Sequence, residues 1–113
     1  MQVTFESRDA DGSQLRDVAV ARVRFALRRL AALVTHAKVQ FSDVNGPRGG
    51  IDKRCQIELK TDRSDTVVIA SLAREWRTAL NRSLIRAARA LTRSSHRIQK
   101  PARGRAARLA LDS

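Results

Sequence analysis

HAKVQFSDVNGPRGGIDKRCQIELKTDRSDTVVIASL, residues 36–72, decides the fold. HAKVQFSDV (36–44) alternates, with Ala37, Val39 and Phe41 on one side. KRCQIELK (53–60) alternates in the same way, with Cys55, Ile57 and Leu59 on one side. TVVIASL (66–72) is β-branched. Alternation places every second side chain on the same face of a strand. NGPRGG (45–50) and TDRSD (61–65) are dense in turn-forming residues, so the three strands are joined as an antiparallel meander.

Working outward, QVTFES (2–7) alternates as a half-buried strand with Val3 and Phe5 inward. DADGS breaks it, and Asp11 or Ser13 is placed to cap a helix. From Gln14 to about Leu33 the apolar residues Leu15, Val18, Ala19, Val23, Ala26, Leu27 and Leu30 recur at helical steps. A second helix is expected from Arg74 to about Ser94, with Trp76, Leu80, Leu84, Ala87 and Leu91 on its core side. The expected order is β-α-β-β-β-α. It makes an α+β fold, a four-stranded mixed sheet with two helices packed on one face. The first two strands should be parallel, joined by a right-handed crossover. The other face, with Gln2, Thr4, Lys38, Gln40, Arg54, Gln56, Glu58 and Lys60, reads as polar and solvated. Residues 1–97 form one domain in this reading, and 98–113 a basic, disordered tail.

Charge is the second signal. The chain of 113 residues has a net charge of +12. Residues 1–75 hold 13 basic against 10 acidic residues, a balance of +3, whereas residues 76–113 hold 10 against 1, a balance of +9. On a wheel of about 100° per residue, Arg82, Arg86, Arg89, Arg93 and Arg97 fall in a stripe roughly 80° wide, centred roughly 140° from the core stripe. Like charges three and four residues apart destabilise a helix, so a face built only for solubility would intersperse acids. The first helix repeats the pattern more loosely with Arg16, Arg22, Arg24, Arg28 and Arg29. Helices on the same sheet face would bring both stripes to one side, a surface suited to a polyanion. Membrane docking would want large apolar residues beside the cationic face. Base stacking would want exposed aromatics. Neither is evident, which leaves recognition of phosphates in structured RNA or DNA. Arg86 and Arg89 both lie on the outer stripe, so exchanging them for Glu is expected to spare the fold.

Other features read as structural. Cys55 is the only cysteine, which rules out an internal disulfide and points away from a zinc site. Its alternation with Ile57 and Leu59 makes it a small core residue. His36 and His96 match no catalytic pattern. Asp43 and Asp52 flank the NGPRGG loop as partners for the turn or for Arg48 or Arg54, and Arg48 at the tip is a secondary RNA contact in this reading. No signal peptide or apolar span is seen in the sequence, which points to the cytoplasm.

The β-α-β-β-β-α order, the short first strand QVTFES, the meander and the basic second helix resemble the ribosome hibernation promoting factor and ribosome-associated inhibitor family. FSDVNGPRGGIDKRCQIEL (41–59) is the most specific stretch, and the resemblance covers roughly residues 1–95. It implies binding to the small ribosomal subunit, in the cleft between head and body, over the path of messenger RNA and the decoding-side tRNA positions. It further implies that idle ribosomes are held inactive under stress. Carried onto this chain, Arg82, Arg86, Arg89 and Arg93 of the second helix would neutralise ribosomal RNA phosphates, joined by Arg22, Arg28 and Arg29 of the first. No catalysis, cofactor, metal, membrane or small-molecule substrate is expected, and the free protein should be monomeric. Long members carry a second, C-terminal domain that pairs two ribosomes. Here PARGRAARLALDS (101–113) stands in its place, so pairing by this chain alone is not expected. The alternative is a general double-stranded RNA-binding module. That fold is usually α-β-β-β-α with a lysine-rich start to its last helix, whereas here a strand comes first and the last helix opens with AREWR (73–77). A ribosome-rescue hydrolase would need a Gly-Gly-Gln loop, and this chain has Gly49-Gly50-Ile51.

Overall fold

A computed structural model describes residues 1–44, 52–63 and 65–99, with the side chains of 94–99 left aside. The elements run β1 (Gln2–Ser7), α1 (Ala10–Ser13), α2 (Arg16–Ala26), a 3₁₀ turn (Ala31–Leu33), β2 (Val34–Asp43), β3 (Lys53–Thr61), β4 (Thr66–Ala73) and α3 (Trp76–Gln99). One four-stranded sheet has the order β1-β2-β3-β4. β1 pairs parallel with β2, and β2–β3 and β3–β4 are antiparallel. The α+β architecture expected from the alternation is the one observed.

The inward faces are also as expected. Ala37, Val39, Phe41, Cys55, Ile57 and Leu59 are buried, and so are Trp76, Leu80, Leu84, Ala87 and Leu91 of α3. Burial of the Cys55 thiol pushes its pKa up to about 12, against a weaker lowering by Ser83, which leaves it protonated and unreactive at neutral pH. The Ser83 hydroxyl donates to the Cys55 carbonyl (3.1 Å) in the same interior. At one end of the core Phe41 stacks on Trp76 (ring centroids 4.8 Å, interplanar angle 10°) and takes Phe5 edge-on (5.1 Å, 81°).

The first helical region departs from the sequence reading. The single helix expected over Gln14–Leu33 is broken into α2 and the 3₁₀ turn, and the short α1 precedes them. Its first cap is Asp9, whose carboxylate accepts from the N–H groups of Asp11 (2.8 Å) and Gly12 (3.3 Å). Asp9 is therefore the N-cap of α1, and α2 starts from Leu15 with no side-chain cap, so neither Asp11 nor Ser13 fills that role. α2 ends at Ala26, and Leu30 and Leu33 then donate to the carbonyls three residues back (both 2.9 Å). Leu27, Leu30 and Leu33 are spaced by three, which is the 3₁₀ repeat and not the α repeat. Of the positions expected inside, Ala19, Val23 and Leu27 are buried, Leu15, Val18 and Leu30 are half-buried, and Ala26 is exposed. α3 is longer than expected, and Ile98 and Gln99, placed in the tail from sequence, are helical.

Two further differences concern polarity. The outer sheet face is polar over β1–β3, but β4 adds the exposed side chains of Val68 and Leu72. Asp43 and Asp52 both meet Lys53, a partner not expected for them, at 2.9 and 3.5 Å. The Lys53 ammonium also lies 5.5 Å from the Trp76 ring centroid. Its pKa is raised, chiefly by the hydrogen bond to Asp43. The NGPRGG loop, Arg48 within it and residues 100–113 of the tail lie outside the described residues.

At Gly12 the backbone comes close against the core. A Cβ there would sit 2.7 Å from Ser7 Oγ, 3.1 Å from Phe41 Cδ2 and 3.2 Å from Trp76 Cε2. Ser7 Oγ is not free to swing away, because it donates to the Asp9 carbonyl (2.7 Å). Gly12→Ala is therefore expected to destabilise the fold by about 1–3 kcal/mol, the usual cost of overpacking a closed contact. A urea midpoint equal to the parent's would contradict this packing.

Candidate nucleic-acid interface

α3 presents one face to β3 and β4 and the opposite face to solvent. Its core side is fixed by Trp76, Leu80, Leu84, Ala87 and Leu91, so the arginines one step round the helix must face outward. Arg82, Arg86, Arg89 and Arg93 are all exposed, and so are Arg22, Arg28 and Arg29.

They fall into four settings. Arg82 and Arg86 reach round to β4, which ends the sheet and pairs only with β3. Arg82 Nη1 donates to the Leu72 carbonyl (3.0 Å), and Arg86 Nη1 donates to the Ala70 carbonyl (2.7 Å) and Ser71 Oγ (3.0 Å). They bound a groove of about 540 Å³ with Arg54, Ala70, Leu72 and Ile85. Arg22 sits at the junction of the helices, where its Nη1 donates to Asn81 Oδ1 of α3 (2.9 Å). Arg28 folds back onto Phe25, donating to its carbonyl (2.7 Å) with its guanidinium carbon 4.1 Å from the ring centroid. Arg29, Arg89 and Arg93 make no hydrogen bond or ion pair with any described residue.

The charge on this face is not offset internally. Among the described residues the ion pairs are Lys38–Glu6, Lys53–Asp43 and Lys53–Asp52. Every one of these uses a lysine, and no described arginine is paired with a carboxylate of another described residue. Even Arg82, Arg86 and Arg22 satisfy only part of their donor set, on neutral oxygens. A guanidinium has five N–H donors and keeps its charge at any physiological pH, so each retains the capacity to meet a phosphate.

One feature of this face was missed from sequence. Phe25 is 66% exposed beside the arginines of α2, whereas no exposed aromatic was evident in the sequence. Ile85, 54% exposed, lies opposite it on α3. The signal was present: Phe25 follows Val23 by two residues, and on a helix that spacing turns it well away from the core side.

The two settings of the α3 arginines separate their roles. Arg89→Glu with Arg93→Glu is expected to leave the melting temperature within about 2–4 °C of the parent, because surface changes of this kind stay within about 0.5 kcal/mol. It should also weaken polyanion binding steeply. Arg86→Glu is expected to cost about 1 kcal/mol of stability as well, the net worth of its bonds to β4. The expectation that reversing Arg86 and Arg89 spares the fold gains a distinction: Arg86 carries bonds to β4 that Arg89 lacks. Thermal melts with salt-dependent RNA titrations check both arms, and equal destabilisation by the two changes would refute the distinction.

Among the described residues no helix is long and apolar enough to cross a membrane, and no group of His, Cys, Asp and Glu is arranged to hold a metal ion. No protein-family model matches the sequence, and no curated protein does. Solved structures do match the fold. The N-terminal domain of Protein Y from Thermus thermophilus superposes with a TM-score of 0.65 at 18% identity, over 82% of this chain and 98% of that one. A ribosomal subunit interface protein from Coxiella burnetii superposes with a TM-score of 0.67 at 13% identity, over 85% of this chain and 99% of that one. The chain thus carries, along nearly the whole length of both, the fold of the Protein Y N-terminal domain and of this ribosomal subunit interface protein.

Proposed function

We propose that this protein is a member of the ribosome hibernation promoting factor and ribosome-associated inhibitor family. In this reading it binds the small ribosomal subunit through the basic faces of α2 and α3 and holds idle ribosomes inactive. The observation that carries the reading is the set of exposed arginines with no carboxylate partner among the described residues. A surface that leaves so many like charges uncompensated gains most from a dense polyanion, whose counterions it releases on binding. The fold shared with a ribosomal subunit interface protein supports the choice of ribosomal RNA as that polyanion.

The mechanism needs no bond chemistry. Arg82, Arg86, Arg89 and Arg93 meet phosphates along one helix, and Arg22, Arg28 and Arg29 along the other. These contacts position the domain, and the shape of the RNA cleft decides where. A domain seated in the cleft between head and body excludes messenger RNA and tRNA by occupying their path. The protein acts as a monomer when free, without cofactor, in the cytoplasm. A general double-stranded RNA-binding activity is the competing function.

Co-sedimentation with separated ribosomal subunits over a salt series tests the proposal. The expected result is one protein per small subunit, with log affinity falling against log salt by roughly 0.9 for each phosphate contact on duplex RNA-like backbone. Equal affinity for any RNA duplex would replace the ribosomal reading with the general module. Absence of binding to either would remove the nucleic-acid reading altogether.

A further inference from the structure

Three of the four aromatic side chains are buried: Phe5 at 5% exposed, Phe41 at 1% and Trp76 at 7%. Phe25 is 66% exposed, at the last turn of α2. It stands over a groove of about 310 Å³ between the helices, lined with Arg22, Asn81, Leu84 and Ile85. That is the small end of ligand clefts, roughly 300–1,000 Å³, and it suits one flat ring better than an acyl chain. The ring is held in place, because Arg28 donates to the Phe25 carbonyl and lays its guanidinium over the ring at 4.1 Å. Arg22 is likewise fixed at the far wall by Asn81 (2.9 Å).

We infer that Phe25 is a stacking platform for one unpaired RNA base, seated in the groove between α2 and α3 with its flanking phosphates on Arg22 and Arg28. The inference rests on the RNA-binding reading above and adds the kind of RNA it prefers. Charge complementarity names the occupant: an apolar ring surrounded by guanidiniums matches a nucleotide, which joins a flat apolar face to a phosphate on either side. Stacking on an aromatic tolerates any base, since every base has a π-face. A continuous duplex offers no such face, because its bases are stacked on one another. The site therefore selects RNA with a bulge, a loop or a single strand, whereas arginines alone accept any backbone.

The test compares three labelled RNA probes by fluorescence anisotropy with the full chain: a flush duplex, the same duplex with one bulged nucleotide, and a single strand. The parent is expected to bind the bulged duplex about tenfold more tightly than the flush one, within the range of aromatic–base stacking. Phe25→Ala should abolish that preference while keeping flush-duplex affinity. Phe25→Trp should keep the preference, and the emission of the introduced indole, read above that of buried Trp76, should be quenched by the bulged probe and the single strand and not by the flush duplex. A preference that survives Phe25→Ala, or an emission of the Phe25→Trp variant that is blind to the bulge, would overturn the inference and leave the arginine-based reading standing. Failure of every probe would overturn both. Anionic phosphatidylglycerol vesicles serve as the remaining arm, and Phe25-dependent binding to them in preference to RNA would replace the base with a lipid surface.

Discussion

The rotation of α3 about its own axis is the constraint on which the rest of the molecule depends. Three contacts fix it. Trp76 stacks on Phe41 at the first turn, the Ser83 hydroxyl donates to the Cys55 carbonyl in mid-helix, and Leu91 is buried two turns further on. The buried hydroxyl matters most for specificity. An apolar helix face can slide by a fraction of a turn at modest cost, but a polar group left unpaired in the interior costs about 1–3 kcal/mol. With Ser83 anchored, the arginines of α3 have no choice but to face solvent and the edge of β4.

That edge explains why two of them are not merely solvated charge. An exposed edge strand presents unpaired backbone groups to any other chain, and proteins commonly blunt it with charge. Arg82 and Arg86 do so by occupying the carbonyls of Leu72 and Ala70. The same residues thus protect the sheet and carry positive charge to the outer surface. Arg89 and Arg93, further along the helix, make no hydrogen bond or ion pair with a described residue and leave their charge to the outer surface. The repulsion between neighbouring arginines is tolerated because burial of the opposite face holds the helix, so its stability does not rest on side-chain ion pairs.

How much of this was legible in the sequence depends on the range of the interaction. The strands and the core side of α3 were legible, because alternation and the helical repeat are local and unambiguous over Ala37–Phe41, Cys55–Leu59 and Trp76–Leu91. The first helical region was not, because Leu27, Leu30 and Leu33 fit both an α-helix and a 3₁₀ turn, and only the need to reach β2 decides between them. The Lys53 pairing with Asp43 and Asp52 was hidden for a similar reason, since Lys53 lies on the inward register of β3 directly across from Asp43. The seven candidate arginines were correctly read as exposed. Their division among edge clamp, helix junction, ring contact and free charge was not readable, because each role depends on a partner from a distant part of the chain. Phe25 was overlooked because aromatic residues are ordinarily counted toward the core.

The central claim is that these basic faces lie against small-subunit ribosomal RNA. The buried and protonated Cys55 makes the direct measurement practical, because a cysteine introduced at exposed Thr92, beside Arg89 and Arg93, would be the one thiol open to a tethered iron chelate. Hydroxyl radicals generated from that site on the bound protein cut RNA only within close range. The account predicts cuts confined to small-subunit RNA in the cleft between head and body. Cuts spread over the ribosome surface, or confined to the large subunit, would contradict it.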